Sequence, residues 1–288
     1  MSTSLLATVL TENTPTGHLV CEHGLSVHLC YRRERHVTNM LLDFGQSDAF
    51  ACNAEALGID LTAVDLAVLS HAHYDHADGM PAFFARNTRA PLYLSEACDE
   101  TCWSTKGGSV EAHYIGIGPG LLERYAERLT RVTTTRSTSI APGVHLMPHT
   151  TPGLSEVGRR AGMLLRTRDG WMPDPFAHEL SLVVELEPTE EGTPRLAVFN
   201  SCSHAGLPVI VTEVIAAFPG AHIATYVGGL HLVHAGDAEI ARVAEAIRAA
   251  GIDQVCTGHC TGPHALDLLR RTLPGRITTL APGMRRSL

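Results

Sequence analysis

Four side chains able to hold a metal ion, His71, His73, Asp75 and His76, lie within six residues directly after the apolar run Leu66-Ala-Val-Leu69. The run reads as a short buried strand. Side chains alternate along a strand, so His71 and His73 can face the same point as the strand ends. If the chain then turns into a helix, Asp75 and His76 swing toward a neighbouring point. One segment thereby offers ligands to two adjacent sites, and the fold must carry that strand end to an edge where further ligands converge. A solvent-facing histidine tract is the plain alternative, and the apolar run and the interposed aspartate argue against it. Seventeen histidines in the chain fit a metal-binding role, because neutral imidazole is a common ligand for transition metals.

The rest of the chain supports a folded enzyme. At 288 residues, 44% apolar and 18% charged, it can bury a substantial core. A net charge of −8 disfavours a nucleic-acid surface. No long apolar stretch predicts a membrane span, and the opening residues lack a basic signal-peptide start. Eight scattered cysteines without a secretory signal predict reduced thiols and a cytoplasmic location. Leu180–Leu186 and Arg195–Phe199 read as paired strands around a turn-rich segment, with shorter strands at Ile223–Val227 and Gln254–Cys256. The clearest helix follows Asp237 as N-cap, with Ile240, Val243, Ala244 and Ile247 on one face and Gly251 at its end. Further helices are expected over 47–57, 121–129, 209–218 and 265–273. The order predicts α+β or layered α/β architecture in a single domain over 1–288. A long irregular insertion is expected at about 95–175.

The pattern His71-x-His73-x-Asp75-His76 after an apolar strand resembles the signature of the metallo-β-lactamase superfamily. Leu41-Leu-Asp-Phe-Gly-Gln-Ser-Asp48, Asn53–Asp60, Ser201-Cys-Ser-His-Ala-Gly206, Gly228-Gly-Leu-His-Leu232 and Thr257-Gly-His-Cys-Thr-Gly262 resemble one branch of it, the dihydropteroate-synthase-like group. That branch is typified by a synthase joining a dihydropterin to an aminobenzene ribosyl phosphate. The resemblance implies a four-layer αββα sandwich with metals at one edge. It implies His259 as a late ligand and Asp43 as a residue orienting a ligating histidine. His178 and His204 stand where the superfamily places its middle ligands. Cys202 occupies the position of a bridging aspartate, either as a ligand or as a small core residue. The branch usually shows Asp-Glu where this chain has His178-Glu179.

Other histidines read differently. His149, in a Thr/Pro/Gly-rich loop, is expected to stay outside the cluster. His231 closes a glycine-rich turn, as a structural histidine or as an acid for the leaving group. His18, His23, His28, His36, His113, His145, His222, His234 and His264 show no ligand spacing. Cys98 with Cys102, and Cys256 with Cys260, read as structural thiols. Tyr74, Trp103 and Lys106 line a substrate cleft or lie on the surface. The expected cofactor is zinc, one or two ions, with iron or manganese as alternatives. The expected reaction is hydrolysis of a small-molecule ester, phosphoester, lactone or thioester by a metal-bound hydroxide, with Asp75 and His231 catalytic. The alternatives are a transferase resembling the branch's synthase, using the metals to activate a leaving diphosphate, and a non-catalytic metal-bound ligand sensor. The partner is a small molecule, anionic groups included, rather than nucleic acid or membrane. The sequence specifies no oligomeric state.

Overall fold

The computed structural model describes residues 3–105 and 111–288, so Lys106 lies outside the described residues. Two seven-stranded sheets form the centre of the molecule. The first runs, in spatial order, Arg285–Ser287, Thr3–Thr11, Ser26–Arg33, His36–Leu42, Leu66–Val68, Leu92–Ser95 and Leu129–Val132. The second runs Ile277–Thr279, Gln254–Thr257, His222–Val227, Arg195–Phe199, Leu180–Leu186, Val144–Pro148 and Thr138–Ala141. Each combines antiparallel pairs with a run of four parallel strands.

Strand alternation builds the layers. Leu66 and Val68 of the first sheet, and Ala197 and Phe199 of the second, join the core between the sheets. Their neighbours point outward. Ala67 meets Phe50, Phe83 and Phe84 from the helices Ala49–Ala56 and Met80–Phe84. Leu196 and Val198 meet Ile210, Val214, Ile240, Ile247 and Leu269 from the helices Leu207–Ala217, Asp237–Ala249 and Pro263–Thr272. Three apolar layers thus separate four layers of backbone, an αββα sandwich. Each fully buried aliphatic or aromatic side chain in them contributes about 1.5–3 kcal/mol.

Two sequence expectations change in detail. Gly236, not Asp237, caps the helix start. Asp237 sits in the first turn, where its carboxylate suits the helix dipole and accepts from His264 at 2.7 Å. The segment expected as an irregular insertion is largely extended. Leu129–Val132, Thr138–Ala141 and Val144–Pro148 complete the edges of the two sheets, and the expected helix over 121–129 shrinks to short turns before the first of these strands. Gly170–Pro173, Met163–Thr167, Cys102–Ser104 and His113–Tyr114 make a separate four-stranded sheet. That small sheet reaches the histidine motif, because Tyr74 donates its backbone N–H to Ile115 at 3.0 Å and His73 bridges to Gly116.

Candidate metal centre

Residues at the carboxyl ends of the parallel strands meet at one edge, the usual place for a site in open α/β sheets. Asp43 follows His36–Leu42, His71 follows Leu66–Val68, Cys202 and His204 follow Arg195–Phe199, His231 follows His222–Val227, and His259 follows Gln254–Thr257. The His71 ring lies 4.6 Å from that of His73, 4.2 Å from His76 and 4.9 Å from His204. His73 and His204 are 4.7 Å apart, and His76 and His259 5.0 Å. Two histidine pairs meet at Cys202, forming the ligand-capable groups His71/Cys202/His204 and His76/Cys202/His259, each with its donor atoms within 4.8 Å of one another, and Cys202 joins His231 and Cys260 in a third. Asp75 completes the second group, its Oδ2 lying 3.6 Å from His76 Nε2 and 3.4 Å from His259 Nε2.

The outer nitrogens of these rings are fixed by neighbours. Asp43 Oδ2 accepts from His76 Nδ1 at 2.8 Å and from Ser70 Oγ at 2.7 Å. Ser70 Oγ in turn accepts a hydrogen bond from His71 Nδ1 at 2.8 Å, so one buried carboxylate orients two histidines, the second through a serine. Asn13 Oδ1 accepts from His259 Nδ1 at 2.9 Å. Glu179 accepts from the backbone N–H groups of His204 and Ala205 at 2.7 and 2.8 Å and holds the turn that presents His204. The inward nitrogens are left over. His71 Nε2, His73 Nε2, both nitrogens of His204 and His231 Nδ1 are buried without a hydrogen-bond partner. Unpaired buried nitrogens are costly unless something binds them. Burial, and then repulsion by neighbouring imidazoles, holds His71 and His204 well below the usual histidine range. Burial followed by His178 takes His73 down to about 3. These rings are neutral, with lone pairs turned inward, and an imidazole, carboxylate and thiol set of this kind fits a transition-metal ion.

His178 shares the pocket but turns its nitrogens elsewhere. Its Nδ1 accepts from the Ala72 N–H at 3.2 Å and its Nε2 donates to Asp174 at 3.0 Å. In the His178-Glu179 pair, the glutamate is the one that positions the cluster. His149 is consumed by Glu213 at 2.7 Å and Ser181 at 3.0 Å and stays outside. His231 sits with its ring 4.4 Å from that of His204. Burial opposes its protonation, but Cys260 raises its pKa above the ordinary value.

Several site residues carried no sequence signal. His23, read as ordinary, reaches Asp75 Oδ2 at 3.2 Å across a turn made possible by Gly24, where an added Cβ would lie 2.4 Å from the Asp75 carbonyl oxygen. Asn13 and Ser70 act through hydrogen bonds of common polar side chains, which leave no pattern. Cys98 and Cys256 are core thiols as expected. Cys102 and Cys260 instead face histidines, because each sits at a strand edge or beyond a strand end rather than inside a strand.

Strain marks the same region. Six non-glycine residues among those described have positive φ, and five of them, Asp43, Phe176, Ser203, His231 and His259, surround the cluster. Such conformations cost energy and persist where surrounding contacts enforce them.

No family model matches the chain. Over 248 residues it is 23% identical to the 7,8-dihydropterin-6-methyl-4-(β-D-ribofuranosyl)-aminobenzene-5′-phosphate synthase of Methanocaldococcus jannaschii, covering 84% of this chain and 81% of that protein. Its structure matches Tm1679, a metal-dependent hydrolase of the β-lactamase superfamily, with a TM-score of 0.78 and 28% identity over 98% of both chains. The chain has the metallo-β-lactamase fold and is similar to members of that superfamily. A diphosphatase of the PhnP family, at TM-score 0.53 and 15% identity over 99% of this chain and 97% of its own, shares the superfamily fold. The sequence relative is a synthase and the structural relative at 28% identity a metal-dependent hydrolase, so this metallo-β-lactamase-fold chain is an enzyme. Among its described residues no helix is long and apolar enough to cross a membrane.

Proposed function

We propose that the chain is a metal-dependent hydrolase of a small-molecule ester, phosphoester, lactone or thioester. One observation carries the reading: two ligand-capable groups share Cys202, the His71/His204 one with unpaired buried imidazole nitrogens and the His76/His259 one beside the Asp75 carboxylate. His71, His204 and Cys202 would hold one ion, with His73 beside them. Asp75, His76 and His259 would hold the other, again with Cys202. The donor set favours zinc. When bound, such ions supply Lewis acidity, lowering the pKa of water to about 7 and stabilising negative charge that develops on a substrate oxygen.

This chain's own residues do the rest. Asp43, through His76 and Ser70, and Asn13, through His259, keep the ring protons on the outer nitrogens. Asp75 orients the attacking water and takes its proton, with His23 hydrogen-bonded to the same carboxylate. His231, with an unpaired Nδ1 beside His204, is placed to protonate a leaving group or to bind an anionic part of the substrate. Eight free thiols suit a reducing, cytoplasmic setting.

The 23% identity to the synthase supports a second reading, transfer rather than hydrolysis. Zinc-loaded protein assayed against esters, phosphodiesters, lactones and thioesters tests the first. Turnover abolished by a chelator and restored by metal supports it. Product formed only from dihydropterin and aminobenzene ribosyl phosphate substrates supports the second, and tight ligand binding with no turnover would refute both.

A further inference from the structure

His149, which stays outside the cluster, belongs to a chain of hydrogen bonds that leads back into it. Glu213 stands on the helix Leu207–Ala217, His149 follows Val144–Pro148, Ser181 belongs to Leu180–Leu186 and Asn200 follows Arg195–Phe199. Glu213 Oε2 lies 2.7 Å from His149 Nδ1, His149 Nε2 3.0 Å from Ser181 Oγ, and Ser181 Oγ 2.9 Å from Asn200 Nδ2. Asn200 Oδ1 then accepts from the Ser203 N–H at 2.6 Å, between Cys202 and His204. His149, Ser181 and Asn200 are buried, and Glu213 alone of the four is partly exposed. We propose that these four are positioning residues, a one-way relay running from Glu213 to the turn that carries Cys202 and His204. The relay's effect on the metal centre rests on the reading of those two side chains as ligands.

Donor and acceptor chemistry gives the relay its direction. A carboxylate only accepts, so His149 Nδ1–H donates to Glu213 Oε2. His149 Nε2 is the ring's acceptor, facing Ser181 Oγ and, at 3.4 Å, the Asn200 amide nitrogen. Ser181 Oγ donates to it and accepts from Asn200 Nδ2. The Asn200 amide is thereby held in one sense, with Oδ1 toward the Ser203 N–H. That bond matters because Ser203 sits in the left-handed region at φ 55°, which a serine holds only under constraint. Glu179 holds the next two N–H groups of the turn, those of His204 and Ala205. Glu213→Gln keeps the shape of the side chain and reverses the relay. The amide oxygen stays with the Thr150 and Thr151 donors at 2.8 Å, which turns the NH2 toward His149 Nδ1. The ring proton then moves to Nε2 and meets Ser181 Oγ, whose own proton finds an acceptor in the relay only if Asn200 flips. A flipped Asn200 sets its NH2 against the Ser203 N–H and frees the turn. Adding Asn200→Asp repairs the reversed relay, because a carboxylate accepts from Ser181 Oγ and the Ser203 N–H together.

Ring-nitrogen NMR and amide exchange on the metal-free full-length chain read the relay, and cobalt(II) titration reads its effect on the centre. The unmodified chain is expected to carry the His149 proton on Nδ1 and to protect the Ser203 amide. Glu213→Gln is expected to move that proton to Nε2 and to speed Ser203 exchange roughly 10-fold. Cobalt affinity is expected to fall roughly 10-fold, with a shifted thiolate-to-cobalt absorbance band. Glu213→Gln combined with Asn200→Asp is expected to recover the Ser203 protection, the affinity and the band. A merely structural role predicts a lower thermal transition in both variants with Ser203 exchange, cobalt affinity and band unchanged, and that result would overturn the proposal. Should Glu213→Gln fail to fold, the tautomer of the unmodified chain decides, and a His149 proton on Nε2 overturns the relay. If the unmodified chain binds no cobalt, the hydrolase reading falls, while the tautomer and the Ser203 exchange still decide the relay.

Discussion

Replacing Asp43 with asparagine isolates what one buried carboxylate does for the centre. Asp43 is fully buried and accepts three hydrogen bonds, from the Ser70 N–H at 2.7 Å, Ser70 Oγ at 2.7 Å and His76 Nδ1 at 2.8 Å. An amide offers one acceptor oxygen and one NH2 donor in the same space. If the NH2 faces His76, two donors meet, and the ring must move its proton to Nε2. That nitrogen lies 3.3 Å from Cys202 Sγ and 3.2 Å from His259 Nε2, at the heart of the cluster, so the ligand lone pair is lost. If the amide flips, the NH2 instead opposes the Ser70 N–H, and a buried donor goes unpaired at about 1–3 kcal/mol. Either outcome corresponds to a metal affinity roughly 10–100-fold weaker, the range seen when an orienting partner is removed. Zinc competition against a chromophoric chelator measures it, with circular dichroism to verify folding. A folded Asp43→Asn protein with unchanged zinc affinity would refute the claim that Asp43 sets the histidine tautomers.

Three further outcomes follow from the same geometry. His71→Ala combined with His73→Ala should remove at least one bound ion per chain by elemental analysis, since both rings carry an unpaired buried nitrogen. Asp75→Asn keeps the size of the side chain but removes its charge, and should lower turnover by orders of magnitude while leaving the thermal transition nearly in place. Glu213 is pushed up by burial, yet hydrogen bonds from His149, Thr150 and Thr151 hold it at about 2, against 4.5 for a free glutamate. Its folded pKa is depressed, so its contribution is present above the unfolded value and fades as pH falls from about 4.5 to about 2. Partial exposure screens the pair, so Glu213→Gln should cost roughly 1–2 kcal/mol at neutral pH and flatten the acid limb of a denaturation-versus-pH curve, while an acid limb unchanged by the substitution counts against the assignment.

The layered fold was legible because local and tertiary signals agree at its centre. Leu180–Leu186 and Arg195–Phe199 are strands with the expected bounds, since their apolar alternation is satisfied by a core on each side. The small sheet was not legible. Its strands are only two to five residues long, too short for apolar alternation to show, and their pairing is decided by contact with the histidine motif rather than by propensity. The same division holds at the centre. His71, His73, Asp75 and His76 announce themselves because one segment carries them all. His23, Asn13, Cys102 and Asp174 are brought in from distant positions by backbone turns, and nothing in their neighbours sets them apart. His178 lies beside the cluster, its ring 6.2 Å from that of His71 and 5.5 Å from His73, but its position at a strand entrance does not reveal that the Ala72 N–H claims its Nδ1.

The hydrogen bond between His76 and His259 closes a separation of 183 residues, and the contact between Cys202 and His76 one of 126. Contacts so distant along the chain carry a large loop-closure cost and form late in folding. During refolding, helices and hairpins should therefore appear well before the chain can hold metal tightly at Cys202. Metal capture becomes a clock for the docking of one sheet on the other, and an ion supplied at the start will slow unfolding more than it speeds folding.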